Sequence, residues 1–265
     1  MSEHDDKLRL GGMALRNGLL VHGPTRWAAA VRDKQGEIQT ASGRKPRFTK
    51  FDGVPGMRGV ARLGEAMAVI PLVKRALPAA QLPYEAPSVA GAAGAATVGA
   101  ALLRRRGRKG SLAAELGATA VSLVPTLVAL RAGELAQYHG AEHKAIGEYE
   151  QDTTDVTREH DRCGSHLMAP LILSNLAGVA LLRRAVETPS TLQGSAVALA
   201  SMGVAVEVFG WAERHADTAT ARALKVPGYE LQRVLGTREP TEAQLDVGRA
   251  ALAEVLEAEG ADGHA

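Results

Sequence analysis

A chain of 265 residues is long enough to bury a core as one large domain or two small ones. Its apolar share is ordinary at 46%, but only 3% is aromatic, so Ala, Val and Leu, with 29 Gly beside them, replace the bulky rings that fill most soluble cores. The single cysteine, Cys163, excludes an intrachain disulfide framework, and with no nucleic-acid reader motif and few aromatics among the basic residues, nucleic acid is not expected as a partner.

The opening Met1-Ser-Glu-His-Asp-Asp6 lacks the basic and apolar regions of a cleavable signal, so any membrane insertion is expected from internal segments. Residues 1–53 read as a β-rich segment. Gly11, Gly12, Gly18 and Gly23-Pro24 suit turns, and the apolar run 27–31, the turn Asp33-Lys-Gln-Gly36 and the run 37–41 predict a hairpin. The cluster Gly43-Arg-Lys-Pro-Arg47 reads as an exposed link.

Over 54–83, Val60, Leu63, Met67, Ile70 and Val73 recur at helical spacing with Arg58, Arg62 and Lys74 elsewhere, predicting an amphipathic helix that Pro71 kinks or ends. Such a helix lies on a membrane surface, packs on a partner helix, or belongs to a soluble bundle.

Residues 84–211 predict a membrane helical bundle of about four spans. Segments 86–103 and 167–182 carry no charge, 111–130 carries only Glu115, and 190–211 only Glu207. Small residues such as Gly91 and Gly94 suit close helix packing. By the positive-inside rule, Arg104 to Lys109 and Arg183-Arg184 belong in the cytoplasm, leaving the acidic loop outside. The N-terminal 83 residues, with fourteen Lys/Arg against seven Asp/Glu, pull the other way. After this bundle, 212–259 reads as a C-terminal helical segment with Thr241 as N-cap and Leu245, Leu252 and Leu256 on one amphipathic face. Residues 260–265 read as a flexible tail.

The chemistry concentrates in a central polar loop, 132–166. Within it, Gln137-Tyr-His-Gly-Ala-Glu-His-Lys144 places His139 and His143 four apart, on one face of a helix, with Glu142 between them. Two imidazoles so spaced can hold one zinc ion and the carboxylate can act as base or further ligand, in the order of the inverted zinc-peptidase motif. The plainer alternative is a solvated polar stretch. Glu150, seven residues past His143, falls near the same face. His160-Asp-Arg-Cys-Gly-Ser-His166 then offers His160, Cys163 and His166 as further ligands, with Arg162 placed to lower the cysteine pKa. Glu207, a carboxylate inside an apolar segment, is a remote ligand, a buried ion-pair member, or the centre of a transport path.

The chain resembles the YqhQ-like bacterial membrane proteins, a domain-of-unknown-function family (1385) labelled as predicted metal-dependent enzymes. The resemblance rests on Gly11-Gly12 through Gly23-Pro24, Pro55-Gly-Met-Arg-Gly59, Tyr138-His-Gly-Ala-Glu-His-Lys144, Arg162-Cys-Gly164, Pro227-Gly, Leu231-Gln-Arg and Thr237-Arg-Glu-Pro240. It implies a multi-pass membrane protein with His139, Glu142, His143 and Cys163 as marked polar positions. Two departures stand out. Asn17 precedes Gly18 where the family carries Glu, and Ser165-His166-Leu167 follows the cysteine motif where it carries Thr-x-Phe. Were that Glu a ligand, His22 or His166 could compensate for it.

The expectation is therefore a mainly α, multi-pass protein of the bacterial cytoplasmic membrane, holding a divalent metal, zinc by its donors, for metal-dependent hydrolysis. The ligands are His139, His143 and Cys163, and Glu142 serves as base or ligand. The lipid bilayer is its expected partner, and a homo-oligomer and the substrate stay open. A non-catalytic scaffold with a structural metal or polar network, and a small transporter centred on Glu207, are the alternatives.

Overall fold

Leu19-Leu-Val21 and Trp27-Ala-Ala-Ala-Val31 are apolar without alternation, the pattern of strands covered on both faces, where neither side has to meet water. In the computed structural model, whose described residues are 7–51, 57–106, 111–131, 134–187 and 189–262, both runs lie in the middle of a four-stranded antiparallel sheet. The strands β1 (Gly11–Leu15), β2 (Gly18–His22), β3 (Arg26–Arg32) and β4 (Ile38–Arg44) pair in chain order. Ala29 sits opposite Leu20 on one side and Ala41 on the other. The expected hairpin is β3–β4. Gly11, Gly12 and Gly18, expected as turns, instead lie in β1 and β2.

Helices follow: α1 (Met57–Ala76), α2 (Pro87–Arg106), α3 (Leu112–Ser122), α4 (Val124–Arg131), α5 (Leu135–Gln151), α6 (Met168–Ala185), α7 (Thr191–Arg214), α8 (Ala219–Leu231) and α9 (Glu242–Asp262). Three of them cover the sheet. On one face Leu19, Val21, Ala28 and Ala30 pack with Tyr138 and Ile146 of α5 and with Val247, Ala251 and Val255 of α9. On the other, Leu20, Trp27, Ala29 and Val31 pack with Val69, Ile70 and Val73 of α1. Each valine buried in this way contributes about 1.5–3 kcal/mol. The short alanines of β3 let the helices sit close.

The C-terminal helix is thus a core element as well as an amphipathic one. Leu245, Leu252 and Leu256 flank its contact face, whose centre is Val247, Ala251 and Val255. Glu259 accepts the backbone N–H of Thr25 and of Arg26, both at 2.8 Å, and Glu254 accepts from Ser42 Oγ at 2.7 Å, fixing α9 across the strands. Helix α1 runs through Pro71, which was expected to kink or end it; Pro71 and the residue four before it, Met67, both lie on its exposed side. Residues 52–56, including Pro55 of the Pro-Gly-Met-Arg-Gly motif, fall outside the described residues.

The remaining helices form the bundle. Among the described residues, three helices are long and apolar enough to cross a membrane: Ala113–Arg131, which joins α3 and α4, Gly164–Ala185 and Thr191–Arg214. They leave large apolar side chains such as Leu173, Leu181, Leu192 and Leu199 facing outward. Segment 86–103, expected as a fourth, forms most of α2 but is dominated by Ala and Gly, whose transfer to lipid is weakly favourable at best. At one end of the bundle Glu115, buried, accepts from Arg104 Nε at 3.2 Å and from Arg183, so the basic ends of α2 and α6 meet there.

Helix α5 is held on its far side by the strand-like segment at 237–240. An added Cβ at Gly140 falls 2.2 Å from the Arg238 carbonyl oxygen, whereas one at Gly147 meets only Val156 side-chain atoms at 3.5–3.6 Å. Gly140→Ala should lower the thermal unfolding midpoint in detergent, by an equivalent of about 1–3 kcal/mol despite the better helix propensity of alanine. Gly147→Ala should leave the midpoint unchanged or raise it. Equal midpoints for the two variants would show that this close approach is not made.

Candidate metal centre and its cavity

The cluster forms where α5 meets the loop that enters α6. Helix α5 stops at Asp152, whose left-handed φ of 52° closes the helix, and the chain returns through 153–163 along the face that carries the histidines. Spacing within α5 puts the His139 and His143 rings 4.4 Å apart, centre to centre. The return loop brings Cys163 Sγ to 3.6 Å from His139 Nε2. One ligand atom from each of His139, His143 and Cys163 lies within 4.8 Å of the other two.

Both imidazoles are oriented by backbone. His139 Nδ1 lies 2.8 Å from the Gly236 carbonyl and His143 Nδ1 lies 2.6 Å from that of Arg158, so each Nδ1–H donates and each Nε2 keeps its lone pair. Burial, reinforced by the neighbouring His139, pushes the His143 pKa well below the ordinary range and keeps the ring in its neutral, ligating form. Burial raises the Cys163 thiol, opposed by hydrogen bonding from Ser165. Arg162, placed by the sequence to lower it, is not among the groups that shift the thiol, and its guanidinium pairs with Glu150.

Glu142 is 5% exposed and lies outside the three-atom group, along the wall formed by Gly12. A Cβ on Gly12 would fall 2.5 Å from Glu142 Oε1, so the carboxyl packs directly on the strand backbone and would have to shift for any larger residue. Burial raises its pKa to about 7; His139 acts against the rise and Cys163 with it. All these groups face a cavity of about 300 Å³ that is also bounded by Leu10, Gly11, Leu135, His160 and Arg162.

The other expected site residues divide. His160 lines the cavity, its ring 5.6 Å from His143 and its Nε2 3.1 Å from Glu150, which also holds Arg162. His166 is buried between the carbonyls of Lys225 (3.0 Å) and His160 (3.3 Å), with both ring nitrogens engaged away from the cluster. Asn17 donates to the carbonyls of Arg32 and Ala79 and accepts from Gln81 N–H, so its side chain clamps the β1–β2 turn and does not line the cavity. His22 lines a neighbouring cavity instead. Glu207 is exposed on α7 in an apolar groove with Met57 and Val60 of α1, apart from the cluster. Of the Arg238-Glu239 pair, Arg238 N–H donates to Ala136 O at 2.9 Å and Glu239 pairs with Lys144.

Gln232 was not singled out beforehand as a site residue. Fully buried in a π-turn after α8, it accepts from His160 N–H at 2.8 Å and donates to Ser165 Oγ at 2.8 Å and to the His160 carbonyl at 3.2 Å. It is the hub that fixes the cysteine loop. Its only sequence signal is a lone Gln within Leu231-Gln-Arg, a piece of the family resemblance.

Residues 128–258 match the family model described as protein of unknown function (DUF1385), a segment that holds His139, Glu142, His143, Cys163 and Gln232. The chain is also similar to the "Uncharacterized protein YqhQ" of Bacillus subtilis (strain 168), 30% identical over 130 residues, which is 46% of this chain. The match spans 41% of that relative's length. No solved structure matches.

A carboxyl whose folded pKa lies above its unfolded value keeps its proton as pH rises through the ordinary range, while the unfolded chain loses its own; stability therefore falls between pH about 4.5 and about 7 and levels off above. In chelator-treated protein this loss should approach about 3 kcal/mol as an order of magnitude. Glu142→Gln should flatten that part of the pH–stability curve, measured by thermal unfolding. An unchanged slope would mean that Glu142 ionises normally.

Proposed function

We propose that the chain is a multi-pass protein of the bacterial cytoplasmic membrane and a metal-dependent hydrolase, with one divalent ion, zinc by the nature of the donors, held by His139, His143 and Cys163. The observation that carries this reading is the convergence of three ligand atoms within 4.8 Å, with each imidazole's Nδ1 tied to a carbonyl. Nitrogen and sulfur donors suit zinc, and the backbone acceptors are the usual outer partners of ligating histidines. Three protein donors facing a cavity leave one side open, which favours a catalytic site over a closed structural one and so over a scaffold. Outward-facing apolar side chains on α6 and α7 support placement in a bilayer.

A zinc ion there would supply Lewis acidity to an oxygen entering the cavity and would favour Cys163 as its thiolate. The chain's own residues do the rest. Glu142, near half-protonated at neutral pH, takes a proton from water in the cavity and returns it to the leaving group. Leu10 and Leu135 limit access of bulk water, and Gln232 holds the loop that carries Cys163.

Protein purified in detergent, freed of any affinity tag and offered zinc, should hold about one ion per chain by elemental analysis. His139→Ala should lose it, Cys163→Ala should lose most of it, and Glu142→Gln should keep it. Wild-type protein that stays metal-free, although folded, would sink the proposal.

A further inference from the structure

The cluster cavity has a neighbour. A second cavity, of about 470 Å³, is bounded by the same Leu10, Gly11, Gly12 and Arg162 and extends under the sheet edge to Arg9, Lys45, Arg47 and Arg62, with Glu65 as its one carboxylate. Glu65 is engaged, accepting the Phe48 N–H at 2.5 Å. Arg9, Lys45, Arg47 and Arg62 have no side-chain hydrogen-bond or ion-pair partner among the described residues. Burial lowers the Lys45 pKa, Glu65 opposes, Arg62 and Arg47 push it lower, and Glu259 opposes more weakly.

A second observation points to a ligand. His22 lines this cavity with its Nδ1 buried and without a hydrogen-bond partner, on a ring that burial and Lys45 hold neutral, with a pKa of about 4. A buried polar atom left unmatched is destabilising unless a partner reaches it. The wall between the two cavities carries no side chain at Gly11, where an added Cβ meets nothing within 4 Å, so a molecule can lie across it.

We infer that the molecule acted on at His139, Glu142 and Cys163 carries a phosphate group, seated among Lys45, Arg47 and Arg62 while the rest lies over Gly11 and Gly12 toward the cluster. The chemistry favours phosphate over a carboxylate. A single negative charge leaves most of these cations uncompensated, whereas a phosphate monoester brings up to two charges and several acceptor oxygens to arginine forks. This names the substrate class of the proposed hydrolase and rests on that reading for the chemistry, but not for the binding. A lipid headgroup and a soluble phosphate ester present the same group.

The test uses full-length protein and Arg47→Gln/Arg62→Gln, both exposed positions, whose unfolding midpoint without phosphate should match the wild type. Inorganic phosphate should raise the wild-type midpoint saturably where chloride at equal ionic strength does not, and the double variant should need roughly tenfold more phosphate or beyond, at unchanged metal content. In nanodiscs, stabilisation by phosphatidic acid over phosphatidylcholine that depends on the two arginines assigns a lipid headgroup; a response to free phosphate alone assigns a soluble ester. No saturable response in wild type, or the same response in the double variant, overturns the inference. If phosphate binds in this way but the wild type holds no metal, the hydrolase reading falls and the phosphate site stands.

Discussion

At two points the backbone of α5 is approached directly by a neighbouring segment, and the geometry of the cluster depends on that contact. At Gly140 the Arg238 carbonyl comes to where a methyl would be, and a Cβ added at Gly248 of α9 would fall 3.1 Å from the Ala141 oxygen. Such packing leaves α5 no freedom to turn about its axis. A helix that cannot rotate fixes the direction of His139, Glu142 and His143, and only then can one loop residue, Cys163, complete the group. The same rigidity holds Glu142 against Gly12, out of water, where burial raises its pKa to about 7.

Much of the candidate cluster was legible in the sequence, because its parts are local. His139, Glu142 and His143 sit on one turn of helix, and helical spacing alone puts them on one face. Cys163 was legible as a ligand type, although its approach depends on the turn at Asp152 and on the grip of Gln232, for which no periodicity speaks. The sheet was harder. Strands buried on both faces do not alternate, and glycines at 11, 12 and 18 read as turns although all three lie in strands, Gly12 and Gly18 at places where something approaches closely. Asn17 misled for the opposite reason. It stands at a position marked by the family resemblance, yet its amide is occupied with three backbone groups, at Arg32, Ala79 and Gln81, that tie the β1–β2 turn to its neighbours.

The fold divides along a chemical line. Residues that build the sheet sandwich use valines, alanines and one tryptophan in a core covered on both sides, whereas α6 and α7 turn their leucines outward and bury little. Where the two halves meet, several polar groups pair with one another: Glu150 with His160 and Arg162, His166 with carbonyls, and Lys225 in an ion pair with Glu213 at 2.5 Å. A junction built this way is stiff, because a buried network that loses one member leaves the others unmatched. The cluster cavity lies beside this junction and shares its rigidity.

The pairing of α9 with the N-terminal sheet sets an order on how the molecule is made. Strands 11–44 leave the ribosome early with one apolar face bare, and the helix that covers it, residues 242–262, is made only after every bundle helix has been synthesised. Contacts so distant along the chain close late. Until they do, α5 lacks the neighbour that stops its rotation, so the three ligand directions are not yet set. His139, Glu142, His143 and Cys163 therefore take up their mutual geometry only once 242–262 has reached the sheet.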